Sequence, residues 1–323
     1  MTMMRLFATI AFALVAFPIG RAAAQDDAIS RLVYARSGSL FLQKPGETAY
    51  RLLLSGGRKR LPAFSPNGQR IAYQDVGAKA TFGSINVITT NGDKAGQAID
   101  LDRETLGGMM AVDSISWAGN ETILVSGRLN PSTRETLVID RASGKLVYNV
   151  HSYGNYVAIA PRSRRAAYVG DMPHWAGEDD KNPSLYVGGR QVRIWPDQAI
   201  EFLGAPLWSG GEDKVFTIAR DRKSDSVWLF SVDAGNTSRV SAVNLTRWIG
   251  ANEEVRLHSL GADVQIRGAQ NTLVVDPRGM QVKAVHAAGG ISPEALKESV
   301  ASEFFSELEN IEGFDYYCVA CER

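Results

Sequence analysis

The chain has 323 residues, 35 Lys and Arg against 35 Asp and Glu, and 45% hydrophobic side chains. That balance excludes a disordered chain, which combines low hydrophobicity with high net charge, and a globally basic nucleic-acid binder. Two Cys only three positions apart exclude a disulfide scaffold, and 31 Gly without a Gly-X-Y period exclude collagen.

Residues 1–24 read as an address. Arg5 precedes an apolar run from Leu6 to Phe17, and Pro18-Ile19-Gly20 leads to Ala22-Ala23-Ala24 before Gln25-Asp26-Asp27. A basic start, an apolar middle and a small-residue end are the layout of a secretory signal. The competing reading is an uncleaved anchor, but a run of about a dozen residues falls short of the ~20 that span a bilayer as a helix. Cleavage after Ala24 removes Arg5 and Arg21, leaving 33 of the 35 basic residues. The expectation is a mature chain with no transmembrane segment, in the periplasm or secreted.

From Ile29 the chain reads as short alternating strands punctuated by Gly, Asn and Asp. One phrase recurs: a large apolar residue, a tight polar turn, then an alternating strand. Its copies are Leu61–Tyr73, Val112–Val125, Tyr156–Val169 and Gly204–Thr217. Aligned on Phe64, Trp117, Ile159 and Trp208, they are spaced by 53, 42 and 49 residues. A period of forty to fifty residues with two hairpins per unit is the signature of a β-propeller blade. Pro66-Asn67-Gly68 is turn chemistry, in which Asn-Gly tolerates positive φ. The large residue before each turn is expected to pack against a neighbouring blade. Second hairpins follow at Ser84–Asp93, Thr136–Lys145, Ser184–Arg190 and Ser226–Gly235. A hairpin at Arg31–Gln43 opens a further unit, and Val264–Gly268 with Thr272–Val282 forms a degenerate last one. The fold class is therefore all-β: a β-propeller of six four-stranded blades over 29–287, with five or seven as alternatives.

The stretch Phe64-Ser-Pro-Asn-Gly-Gln-Arg-Ile-Ala-Tyr73 resembles the repeat of TolB-type, WD-like six-bladed propellers, in which an aromatic, Ser-Pro-Asp-Gly and an apolar strand recur. The resemblance is full in this unit, partial in three and slight in two, and as architecture it covers Arg31 to Val285. It implies a six-bladed propeller that binds protein partners. The chain departs from TolB in having no room between signal and propeller for a separate N-terminal α/β domain.

The last segment, 291–323, is different in kind. Ser292-Pro293-Glu294 is a helix start, with a capping hydroxyl, a Pro whose missing N–H costs nothing, and an acid at the positive end of the dipole. Leu296, Val300, Phe304 and Leu308, widened by Phe305 and Ile311, make an amphipathic helix that Gly313 ends. That stripe packs on the propeller or docks a partner, and Phe304 and Phe305 are its candidate contacts. In the tail, Cys318 and Cys321 have CxxC spacing. An oxidising compartment favours a disulfide between them, with a redox or metal-donor tail as the other reading. Covalent haem is excluded, because Glu322 stands where a His is needed.

Catalytic signatures are missing: there is no Gly-x-Ser-x-Gly elbow, no phosphate loop and no His-Glu-x-x-His. The insert Asp171–Asn182 is the most unusual loop. Its His174 and Trp175 are candidate ligand contacts, and Asp179 and Asp180 offer oxygen donors without the order of a calcium loop. The four His, at 151, 174, 258 and 286, have no metal spacing. The clusters Arg58-Lys59-Arg60 and Arg162, Arg164, Arg165 read as solvated faces. No catalytic residue, cofactor or metal is assigned. The expected function is that of an exported, non-catalytic scaffold binding another exported or envelope protein, with no nucleic acid. The alternative is a propeller-type lyase or hydrolase with its site in the loops at the mouth of the ring.

Overall fold

The computed structural model describes residues 29–44, 49–77, 82–102, 106–130, 133–170, 183–194, 200–253, 255–287 and 311–318. These form 25 strands in six antiparallel sheets, and no helical element occurs among the described residues. Sheet 1 begins with β1 (Ile29–Arg36), β2 (Ser39–Gln43) and β3 (Tyr50–Leu54). Sheet 2 is β4 (Lys59–Phe64), β5 (Arg70–Asp75), β6 (Ser84–Thr89) and β7 (Ile99–Asp100). Sheet 3 is β8 (Ala111–Trp117), β9 (Thr122–Arg128), β10 (Thr133–Asp140) and β11 (Leu146–Tyr153). Sheet 4 is β12 (Val157–Ile159), β13 (Ala166–Gly170), β14 (Ser184–Val187) and β15 (Arg190–Val192).

In sheet 5, β16 (Ile200–Phe202) and β17 (Leu207–Trp208) both pair with β18 (Lys214–Asp221), followed by β19 (Val227–Asp233) and β20 (Val240–Asn244). Sheet 6 is β21 (Arg256–Leu260), β22 (Asp263–Arg267), β23 (Asn271–Asp276) and β24 (Gln281–Ala287). It is a complete four-stranded unit, not a degenerate one. The last strand, β25 (Ile311–Cys318), returns to sheet 1 and pairs antiparallel with β1. Sheet 1 is thus built from both ends of the described chain.

This return corrects the reading of the C-terminal segment. Ile311 opens β25 and does not extend a helical stripe, and Gly313 lies within the strand, opposite Ala35. Asp315 accepts a hydrogen bond from the Phe64 backbone N–H at 2.8 Å, tying β25 to sheet 2. Alternation decides the matter: Ile311–Cys318 has the aromatic content of a strand, and β1 offers it a free edge. The rest of the predicted helix, 291–310, lies outside the described residues.

The central strands of the sheets are buried on both faces, as in β5, β10, β18 and β19, while edge strands such as β11 and β24 are largely exposed. Five apolar clusters fill the spaces between consecutive sheets, one per interface. Val33, Leu40, Phe64 and Ile71 join sheets 1 and 2, and Ile85, Leu101, Ile123 and Leu137 join sheets 2 and 3. Val138, Val150 and Ile159 join sheets 3 and 4; Leu185, Trp208 and Phe230 join 4 and 5; Leu229, Val264 and Leu273 join 5 and 6. The core is therefore a series of flat layers between stacked sheets. Turn chemistry is as expected at Gly68, whose φ of 62° closes the β4–β5 turn, while Asn67 stays outside the left-handed region.

Candidate functional site

The recurring turn proves to be an interlocking device. Trp117 at the end of β8 donates its Nε1–H to Ala63 O of sheet 2 at 3.1 Å, and Trp208 in β17 donates to Ala158 O of sheet 4 at 3.1 Å. Each acceptor immediately precedes the aligned residue of the neighbouring sheet, Phe64 or Ile159. The following turn reinforces this. Asn120 Oδ1 accepts from Asn67 N–H at 3.0 Å, and the Glu212 carboxylate accepts from Arg162 and Ser163 N–H at 2.7 and 2.9 Å. Burial acts to raise the Glu212 pKa, but the hydrogen bonds from Arg162 and Ser163 outweigh it and hold the carboxyl below its ordinary value. Arg165 lies over the Trp208 ring at 5.0 Å. Arg165, and Arg164 through its pair with Asp140 at 2.6 Å, therefore brace neighbouring sheets, while Arg162 reaches Gly210 O at 2.7 Å with its side chain 70% exposed.

At the interface of sheets 3 and 4 the aligned residue is Ile159, which is buried in the apolar layer. A cavity of about 630 Å³ lies there, between β11 and the turns of sheet 4. Tyr168, stacked on Tyr186 at 5.1 Å, forms one wall, and Gly188-Gly189 leaves the rim without side chains. Tyr148 donates its hydroxyl to Arg164 O, and burial pushes its pKa up to about 12. That phenol stays protonated and serves as a structural donor.

A carboxylate–imidazole pair joins β10 and β11, with its carboxylate outside the cavity lining. Glu135, only 1% exposed, accepts from Asn149 Nδ2 at 2.6 Å and faces His151 Nε2 at 3.2 Å, while His151 is 56% exposed at the cavity. Glu135 shares its strand face with Leu137 and Ile139, both fully buried, so β10 aims the acid toward the layer between sheets 2 and 3, on the opposite face of sheet 3 from the cavity wall. His151 Nε2 and the Glu135 carboxylate are within hydrogen-bond distance, and the tautomer decides which ring nitrogen carries the proton. The arrangement can orient a hydrogen-bonding ligand or move a proton.

The outer edge of β11 is exposed apolar strand. Leu146, Val147 and Tyr153 are exposed large side chains, and β11 pairs only with β10 among the described residues. Of the six strands that end the sheets opposite their first strand, β11 is the longest at eight residues. It carries no Lys, Arg, Asp or Glu, the charges that usually blunt an open edge.

Most residues singled out from the sequence lie elsewhere. His174, Trp175, Asp179, Asp180, Phe304, Phe305 and Cys321 lie outside the described residues. Cys318 ends β25, in register with Ile29. The described His do not converge: His151 is on β11, while His258 and His286 lie on opposite edge strands of sheet 6. Burial, then the Arg267 and Arg256 charges, push His258 below the ordinary imidazole pKa. Among the described residues no group of three or more His, Cys, Asp or Glu is placed to hold a metal ion, and no helix is long and apolar enough to cross a membrane. Glu135 and His151 escaped the sequence reading because they are 16 positions apart. The signal was an acid in phase with Leu137 and Ile139.

No protein family matches the chain, and no curated protein is similar to it in sequence. Among solved structures it is similar to the β-propeller domain of the Trilobed protease from Pyrococcus furiosus, which has an open velcro topology. The TM-score is 0.50 at 12% identity, over 81% of this chain and 82% of that one. It is similar to an oligogalacturonate lyase from Vibrio parahaemolyticus, with a TM-score of 0.50 at 9% identity over 79% and 72% of the two chains. TolB from Acinetobacter baumannii is a weaker likeness, with a TM-score of 0.37 at 13% identity over 81% and 65%. The chain spans only 44% of an acylaminoacyl peptidase that it also matches. The two matches at a TM-score of 0.50 show the fold, a β-propeller, and a fold hosts many functions.

Proposed function

We propose that this chain is an exported, non-catalytic binding propeller that takes up an extended segment of another envelope protein along β11. The observation that carries the reading is that edge: eight residues without Lys, Arg, Asp or Glu, with Leu146, Val147 and Tyr153 exposed and Val147 lining the cavity. An added strand gains main-chain hydrogen bonds from the edge, and its alternate side chains enter the space in front of Tyr168. Six sheets, with the first assembled from both termini, support a six-bladed ring in which β25 seals the closure. Residues 1–24 address the chain to the periplasm, where Cys318 and Cys321 form a disulfide. His174, Trp175, Asp179, Asp180, Phe304 and Phe305 are further contacts in the same scheme.

The test captures partners from periplasmic extract with the full chain and with a Val147→Lys, Tyr153→Lys double variant. The reading expects a protein held by the first and lost by the second at equal urea midpoint, with slowed hydrogen exchange of β11 amides in the complex. Equal capture by both sinks it. A lyase or hydrolase remains the second reading, favoured by the Glu135–His151 pair. It requires a substrate whose turnover disappears in His151→Ala.

A further inference from the structure

The residue before each first-hairpin turn can be followed by register through five sheets. Phe64 lies opposite Ile71, Trp117 opposite Ile123, Ile159 opposite Ala166, and Trp208 opposite Val215. In each pair the second residue is buried and belongs to the apolar layer. In sheet 6 the buried residue is Val264, and its partner is Ser259. The position that holds an indole in sheets 3 and 5 thus holds an exposed serine within β21, one residue removed from a turn shortened to Gly261-Ala262.

The consequence is a cavity of about 540 Å³ between sheets 5 and 6. Leu207, Phe216, Val264 and Pro277 give it apolar walls, and Asp213 and Arg278 line it as charged groups. Leu207 immediately precedes Trp208, just as Ala158 precedes Ile159 and Ala63 precedes Phe64. Those two alanines use their carbonyls to accept the indole N–H of the next sheet. Among the described residues no side chain donates to the Leu207 carbonyl.

The geometry points to a binding site at the interface of sheets 5 and 6 for a planar heteroaromatic group carrying an N–H donor, an indole or its like, which takes the place that Trp117 and Trp208 occupy at the other interfaces. Apolar space of this kind binds aromatic molecules when the protein does not fill it itself. The ring lies on Phe216 and Val264, and its N–H meets Leu207 O. A free metabolite or a tryptophan side chain of a polypeptide presents the same chemistry. The site is separate from the β11 edge, so the two proposals fail independently.

The experiment titrates indole, N-methylindole and N-acetyltryptophanamide into the ¹⁵N-labelled full chain and follows the amides of Gly261, Ala262 and Asp263. Indole is expected to shift these amides saturably, and N-methylindole, lacking the donor, to bind about five-fold more weakly. Ser259→Trp fills the site from within and abolishes the shifts, with the urea midpoint unchanged or raised. Ser259→Leu serves the same purpose with a smaller side chain should the tryptophan variant not fold. Tighter binding of N-acetyltryptophanamide than of indole assigns the group to a polypeptide, and the reverse order assigns it to a free molecule. No saturable indole shift, equal affinity for N-methylindole, or undiminished binding in both Ser259 variants overturns the proposal.

Discussion

Trp208 is the sharpest test of the interlocking turns. Its ring is 5% exposed, its Nε1–H bonds to Ala158 O at 3.1 Å, and Arg165 stacks on it at 5.0 Å. Trp208→Ala removes the ring from the layer between sheets 4 and 5 and should cost about 3–5 kcal/mol, the usual range for a buried Trp cut to Ala. Trp208→Phe keeps most of the apolar contact and loses the donor, worth about 0.5–1.5 kcal/mol, with a further ~0.5 kcal/mol from weaker stacking of Arg165. Its expected cost is therefore about 1–2 kcal/mol. Trp117→Phe, at a half-buried site with the same bond to Ala63, should cost less than Trp208→Phe. The assay is urea unfolding followed by far-ultraviolet circular dichroism, which the lost tryptophan fluorescence does not disturb. Midpoints should fall in the order Trp117→Phe, Trp208→Phe, Trp208→Ala, at constant m-value. A Trp208→Ala cost below about 1 kcal/mol, or Phe and Ala variants of equal stability, would refute the reasoning.

Three further outcomes follow from the same contacts. Glu212→Ala strips the acceptor from two backbone N–H groups of sheet 4 and should lower stability by about 2–3 kcal/mol in the same unfolding assay, with Glu212→Gln recovering part of the loss. Asp140 is held at a pKa of about 2, by the Ser143 backbone N–H first, then the Ser143 hydroxyl and Arg164. Its folded pKa is depressed, so its contribution is fully present above the ordinary carboxylate range and is lost as pH falls toward about 2. Thermal midpoints measured from pH 5 to pH 2 should accordingly fall less steeply in Asp140→Asn than in the parent chain; parallel curves would sink the assignment. Removing 311–323 takes away β25 and leaves the β1 edge and the Phe64 N–H open, which should reduce soluble yield and lower the urea midpoint by more than Trp208→Ala does.

The architecture was legible in the sequence because the repeat carries its own chemistry. Phe64, Trp117, Ile159 and Trp208 do end the strands before the turns, and all four join an apolar layer between sheets. What the repeat could not convey is what lies across an interface. Arg162, Arg164 and Arg165 look like a charged surface run, and only the neighbouring Trp208, Glu212 and Asp140 make Arg164 and Arg165 a brace. The C-terminal segment misled for a related reason. Helical spacing continues through Ile311, and a glycine at 313 looks like a stop signal, but β1 has an unpaired edge that takes this stretch as a strand. Long-range pairing between residues some 280 positions apart leaves no local trace. The same holds for Glu135 and His151, which alternation brings together across β10 and β11.

The differences between copies of the phrase locate the sites. Where the position holds Trp, as in sheets 3 and 5, the indole enters the neighbouring sheet and the interface closes on itself. Where it holds Ser259, the layer is short of an aromatic ring and a cavity of about 540 Å³ lies there; Ile159 is buried in its layer and stands outside the lining of the cavity of about 630 Å³ at its interface. A repeat selected only for stability would carry the bulky residue throughout, because an unfilled layer forfeits dispersion contacts and burial. The serine at the fifth position therefore costs stability, and open space for a ligand or partner is what it provides in return. On this argument the functional surface is read from the departures from the repeat: Ser259→Trp should hold or raise the urea midpoint while closing its cavity, whereas Ile159→Trp overpacks a filled layer and should lower it.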